Sequence, residues 1–146
     1  PTREAKNGYV DKKTQVLTIR QQGEAWDTPF IGVFEPAKNQ YASVQKVVPL
    51  KEGPKTIGAT VTSKVGNAQV TDIIISQDDP DSFYENKVLG LRFKGRFGIV
   101  RTTEDMGVTE VLLYIGEGAS LNYGKKEIKT GTYKTAVLRY TLKDQL

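Results

Sequence analysis

Three carboxylates crowd one short stretch: Asp78, Asp79 and Asp81, with Pro80 between them. Oxygen ligands spaced this closely could hold Ca²⁺. A calcium loop needs further oxygen donors and a later Glu at the right distance, and neither follows here. The plainer reading is a polar turn, in which Pro80 sets φ and one Asp accepts backbone N–H bonds. A second acidic pair, Glu104-Asp105, precedes Met106-Gly107 in another turn-like stretch. Glycosidases use two carboxyls flanking the scissile bond, but nothing in the spacing singles out these two. Ser43, Ser82 and Ser120 have no imidazole to activate them, because the chain contains no His, so a Ser-His-Asp triad is excluded. There is no Cys, which removes both thiolate chemistry and disulfides. Gly116-Glu117-Gly118 is a lone Gly-x-Gly without a following helical pattern, so it reads as a hairpin turn rather than a phosphate loop. The residues therefore assign no catalytic group, no metal site and no cofactor.

Binding chemistry is better represented. Trp26 is the single Trp and lies in the loop-like stretch Gly23–Pro29. An indole can offer its face to the apolar side of a pyranose ring. It can equally be shielded beneath the loop with its N–H bonded to backbone. Glu24 and Asp27 flank it and would repel an anionic polymer, and the apolar run that follows would draw the ring inward. Shielding is the expectation. Arg92, Lys94 and Arg96 alternate with apolar residues, with Lys87 nearby. They form either an ordinary solvated face or a patch for an acidic polysaccharide.

These groups must be positioned by strands. Short runs of period-two alternation are separated by Gly, Asn, Asp and Pro, and no window sustains a helical stripe. Strands are predicted near 15–21, 30–35, 41–48, 56–63, 68–76, 87–93, 97–102, 108–115, 119–123, 126–129 and 132–140. In Leu89–Val100, a three-residue loop Lys94-Gly95-Arg96 would face Phe93 with Phe97 and Leu91 with Ile99, gathering the four on one buried side. Gly66-Asn67 suits a type II′ turn, which would set Val61 opposite Asp72. Val111, Leu113 and Ile115 line one face of their strand, and Leu112 and Tyr114 the other. Both faces being apolar marks a central strand, or one whose outer face meets another domain. The last strand shows the same two-sided pattern. Gln77–Asn86 is the longest predicted loop. Regular strands with turn signals favour an all-β, antiparallel β-sandwich.

Composition sets the limits. With 146 residues, 38% hydrophobic and 26% charged, the chain fits one domain, residues 1–146, with its own core. No stretch approaches the ~20 apolar residues of a membrane helix, and the start, Pro1–Lys6, lacks the apolar core of a signal peptide. The net charge of +4 is spread among Asp and Glu rather than clustered, which argues against a nucleic-acid partner and for a mixed surface.

The segment Arg20–Pro36, RQQGEAWDTPFIGVFEP, resembles the opening of the carboxy-terminal β-domain of heparinase II/III-type polysaccharide lyases. Leu112–Gly124, LLYIGEGASLNYG, and Gly95–Thr102, GRFGIVRT, support the resemblance. It implies a carboxy-terminal piece of a larger, periplasmic or secreted enzyme acting on acidic, uronate-containing polysaccharide. In that family the eliminating residues are Asn, His, Tyr and Arg on an α/α toroid and a central β-sandwich. This chain has no His and no toroid-like helical pattern, so none of those roles passes to it. The expectation is a non-catalytic domain that packs on the parent's catalytic domain. Its candidate sugar contacts are Trp26, Arg92, Lys94 and Arg96. The alternatives are an independent carbohydrate-binding module and a purely structural β-domain.

Overall fold

The computed structural model describes residues 2–6, 13–17, 20, 22, 29–36, 42–131 and 134–142. All its regular elements are strands: β1 (Thr2–Lys6), β2 (Lys13–Leu17), β3 (Val44–Glu52), β4 (Lys55–Val65), β5 (Ala68–Ser76), β6 (Phe83–Asn86), β7 (Leu91–Asp105), β8 (Val108–Tyr123), β9 (Lys126–Lys129) and β10 (Ala136–Leu142). Every pairing is antiparallel. β1 and β2 pair with each other, and the other strands form one sheet in the order β10-β8-β7-β5-β4-β3.

That sheet folds back on itself. β7 and β8 are long strands whose ladder is broken by register shifts around Gly95. Beyond the break, β6 pairs with the first residues of β7 and β9 with the last of β8, giving a small sheet β6-β7-β8-β9. A side chain at Gly98 would meet the Phe93 ring at 2.9 Å. An extended strand would separate these positions by about 16 Å, at about 3.3 Å per residue, so β7 must bend sharply. Strands that change sheet at a bulge make the corner of a sandwich.

The core lies between the two layers. Tyr84, Phe93, Leu121 and Ile128 form one buried row across the small sheet. Ile73, Val100 and Leu113 form a facing row on the large sheet, with Ile75 and Ile115 beside them. They belong to a single buried cluster, against which Leu138 and Tyr140 pack from β10. The all-β antiparallel architecture is the one predicted.

The bend corrects two expectations. Lys94-Gly95-Arg96 is not a hairpin loop, since β7 continues through it as one bent strand. Leu91 and Phe93 are buried, but Phe97 and Ile99 lie half-buried on the opposite face, because the bulge shifts the alternation. Gly116-Glu117-Gly118 is likewise strand, not a turn. Both glycine groups mark the bulge itself. A side chain at Gly95 would strike Gly118 Cα, the Glu117 carbonyl oxygen at 2.6 Å and the Phe93 ring at 2.7 Å. Only backbone this bare lets β7 and β8 cross so closely. Buried Gln77 secures the crossing: its Nε2 donates to the Gly95 carbonyl at 2.8 Å, and its own N–H donates to the Arg96 carbonyl at 2.7 Å.

Other differences are local. The predicted loop Gln77–Asn86 contains β6, whose Tyr84 is buried. Asp81 N–H donates to the Asp79 carboxylate at 2.8 Å, the polar turn expected for this acidic stretch. The Gly66-Asn67 turn forms, with Gly66 at φ 63° and Val61 opposite Asp72. β10 starts at Ala136 rather than 132, and residues 132 and 133 lie outside the described residues. The predicted strand at 30–35 has no ladder partner among the described residues.

The segment Pro29–Pro36 is a strap anchored at both ends. At one end Pro29, Phe30 and Ile31 border a cavity of about 450 Å³ with Lys55–Gly58 at the start of β4. At the other, the Glu35 carboxylate accepts from Ser43 N–H (2.5 Å), Ser43 Oγ (2.6 Å) and Val44 N–H (3.0 Å). Val44 pairs with Ser63 near the end of β4, so the strap spans the length of that strand. Ala59 and Val61, between its two anchors, point away from the core face yet are 5% and 7% exposed.

Candidate functional site

The predicted cations sit on the outer face of the small sheet and at its corner. Strand alternation that sends Leu91 and Phe93 inward must send Arg92 and Lys94 outward. Two cross-strand rows result: Phe83–Lys94–Ser120–Lys129, and Glu85–Arg92–Asn122–Glu127. Arg92, Lys94 and Lys129 are exposed, and Phe83 keeps 56% of its surface open beside Lys94. A shallow groove of about 180 Å³ runs past Asn86, Lys87, Arg92 and Asn122.

Arg96 is placed differently. It lies past the bulge, where its Nε donates to the Asp78 carbonyl at 3.2 Å and its Nη1 meets Glu117 at 3.2 Å. Lys94 Nζ stands 3.8 Å from Asp81, and Lys129 Nζ 3.4 Å from Glu127. These pairs are open to water and weak, so an incoming polyanion can compete for the cations. Arg92 makes no ion pair among the described residues; Glu85 and Asn122 are its cross-strand neighbours. The structure thus groups Arg92 with Lys94 and leaves Arg96 at the corner, engaged. Trp26 lies outside the described residues. Sequence reasoning missed Phe83 and Lys129, which join the cations only through the pairing of β6 and β9. The predicted strand 126–129 was the signal available for Lys129; Phe83–Asn86 gave no alternation to find β6 by.

Four titrating groups among the described residues are shifted by their surroundings. Burial pushes the Tyr123 phenol above its usual range, and the charge of Glu104 adds to this. Burial does the same to Tyr140, with Tyr123 contributing. A base for neutral pH needs the opposite shift. The Ser43 hydroxyl, then the Val44 and Ser43 N–H groups, hold Glu35 below the ordinary carboxylate range, and that carboxylate is engaged in anchoring the strap. Arg101 is held charged by its bond to Asp72. Among the described residues, no cluster of His, Cys, Asp or Glu is arranged to hold a metal ion, and no helix is long and apolar enough to cross a membrane. The arrangement gathers, among the described residues, exposed cations and an open aromatic side chain on one outer face.

Comparison with known proteins agrees with a polysaccharide-lyase carboxy-terminal domain, the coarser part of the resemblance, and matches an ulvan lyase rather than a heparinase II/III-type enzyme. The chain is 52% identical over 136 residues to an endo-acting ulvan lyase of Formosa agariphila; the match covers 93% of this chain and 16% of that relative. The chain therefore spans far less than the length of the lyase it matches. No solved structure matches. Residues 44–140 match the profile of the endo-acting ulvan lyase C-terminal domain, a span that takes in the bent strands β7 and β8 and the supporting phrases Gly95–Thr102 and Leu112–Gly124. On that match, the chain belongs to the family of endo-acting ulvan lyase C-terminal domains.

Proposed function

We propose that this chain is the non-catalytic carboxy-terminal β-domain of a longer lyase that cleaves ulvan. The observation that carries the reading is the family match over 44–140, together with 52% identity to an endo-acting lyase of which the domain is 16%. Lyase cleavage of a uronate polymer requires a group to neutralise the carboxylate, a base for the C5 proton and an acid for the leaving oxygen. The chain has no His, and burial moves Tyr123 and Tyr140 away from base character. In this reading the rest of the polypeptide supplies the chemistry. A parent of heparinase II/III-like architecture is the finer form of the proposal and is supported by the wording of Arg20–Pro36. A parent that meets an extracellular polymer works in the periplasm or outside the cell.

Arg92, Lys94 and Lys129 on the small sheet offer the polymer's carboxylates a cationic border, with Phe83 as an apolar rest for a sugar ring. The test is absorbance from unsaturated uronate products. The purified 146-residue chain is expected to release none from ulvan, while the full polypeptide does. Turnover by the isolated chain, persisting through repeated purification, overturns the non-catalytic reading.

A further inference from the structure

The core face of the large sheet is fully accounted for, but its other face carries a second apolar row. Ala59, Ile74, Ile99, Tyr114 and Val137 are cross-strand partners in succession, from β4 to β10. Leu112 and Phe97 flank the row on the same face, since each lies two residues along its strand from a member. The strap runs along β4. On β5, β7 and β8 the row is half-buried, and at β10 Val137 is 62% exposed. The strap adds apolar surface of its own, with Phe30 60% and Phe34 92% exposed. Contiguous apolar surface of this kind marks a contact site.

We infer that the outer face of the large sheet, the row Ile74–Ile99–Tyr114–Val137, is where this domain docks the preceding part of its own polypeptide. The inference rests on the reading of the chain as the carboxy-terminal domain of a longer lyase. Three observations select this occupant. The matched stretch is 16% of the relative, so most of that protein stands outside the domain, joined to it covalently and held at high local concentration. The row is chiefly aliphatic, and its Tyr114 ring is already engaged edge-on with Phe97, centroids 6.3 Å apart at 75°. A sugar chain asks for free aromatic faces and convergent polar groups; a protein surface asks for a dry centre and a polar rim. The rim is present. Arg101 donates to both oxygens of Asp72, at 2.6 and 2.9 Å, and a groove of about 190 Å³ beside this pair is bordered by Glu110 and Arg139. Docking here also leaves the cationic face of the small sheet free for polymer.

The test is maleimide labelling of single cysteines, which is clean in this domain because it contains no Cys. Val137→Cys probes the row, and Val88→Cys, at a position 95% exposed beside the small sheet, is the reference. In the full polypeptide, Val137→Cys is expected to label on the order of tenfold or more slowly than Val88→Cys, because a docked interface excludes the reagent. In the isolated chain the two are expected to label at similar rates. Similar rates in the full polypeptide overturn the inference, and that arm holds even if the isolated variants fold poorly. Protection of Val137→Cys in the isolated chain that grows with protein concentration makes the occupant a second copy and also overturns it. Protection that appears only on adding ulvan makes the row a sugar site and overturns it as well. Labelling reads docking whether or not the polypeptide cleaves anything, so this inference and the lyase reading fail separately.

Discussion

The outer faces of the two sheets differ although the same strands build them. On the small sheet, β7 turns Arg92 and Lys94 to solvent; a few residues later, on the large sheet, it turns out Phe97 and Ile99. One bulge separates the two regimes. It lets a single amphipathic strand serve one core from both layers while presenting charge on one outer surface and apolar side chains on the other. The small sheet's outer surface is the one proposed above to meet the polyanion, and the large sheet's is the one proposed to meet protein. Composition averaged over the strand hides this division of labour, because the position of the bulge decides it.

Truncating one aromatic on each side of the bulge tests the contrast most severely. Phe93 is fully buried, so Phe93→Ala is expected to destabilise the isolated chain by about 3–5 kcal/mol. Phe97 is half-buried on the outer face, and its truncation should cost only about 1 kcal/mol. Chemical denaturation measures both. Equal losses would mean that the outer face of the large sheet is as dry as the core before any partner arrives, and the distinction between the faces would fall.

A smaller effect is expected at the bulge itself. Gln77 is 6% exposed and bonds the Gly95 carbonyl, so Gln77→Ala leaves a buried acceptor unpaired. The cost should be about 1–3 kcal/mol. Hydrogen exchange should show the loss first at the amides of β6 and of the β7 residues it pairs with, because Gly95 N–H also bonds Ser82 just before β6. A loss spread evenly over the large sheet would mean that Gln77 does not hold the corner.

Much of this fold was legible because its turns and alternation are local. β5 and β9 stand where they were predicted, and the Gly66-Asn67 hairpin carries the expected opposition of Val61 and Asp72. The corner was not legible, because glycine marks a hairpin turn and a close strand crossing alike. Gly95 and Gly116-Glu117-Gly118 read as two loops, when each is half of one contact. β6 was hidden because Tyr84 is the one buried residue in a polar run. Phe30–Glu35 is an apolar run such as a buried strand shows, but among the described residues it is held by the bonds of the Glu35 carboxylate to Ser43 and Val44 rather than by a ladder. For the candidate site, the alternation of Arg92 and Lys94 was enough to expose them together. The Arg96–Glu117 pair depends on β8 lying alongside with shifted register, which spacing along β7 cannot supply.

The variant with the smallest effect on stability separates the two faces best. Arg92 and Lys94 are exposed, one without an ion pair among the described residues and the other 3.8 Å from an exposed Asp81. Replacing both with Ala should change the unfolding free energy by no more than about 0.5 kcal/mol, the usual range for surface positions. If the small sheet meets the polymer, the same double variant should weaken binding of ulvan fragments to the isolated chain. It should also flatten the dependence of that binding on salt, because fewer cations remain to be screened. Ile99→Ala on the opposite outer surface should leave both the affinity and the salt dependence unchanged. Calorimetric titration at two ionic strengths separates the cases. Binding that is indifferent to Arg92 and Lys94 but lost with Ile99 would exchange the roles of the two faces, turning the apolar row toward sugar and the cationic sheet toward the rest of the polypeptide.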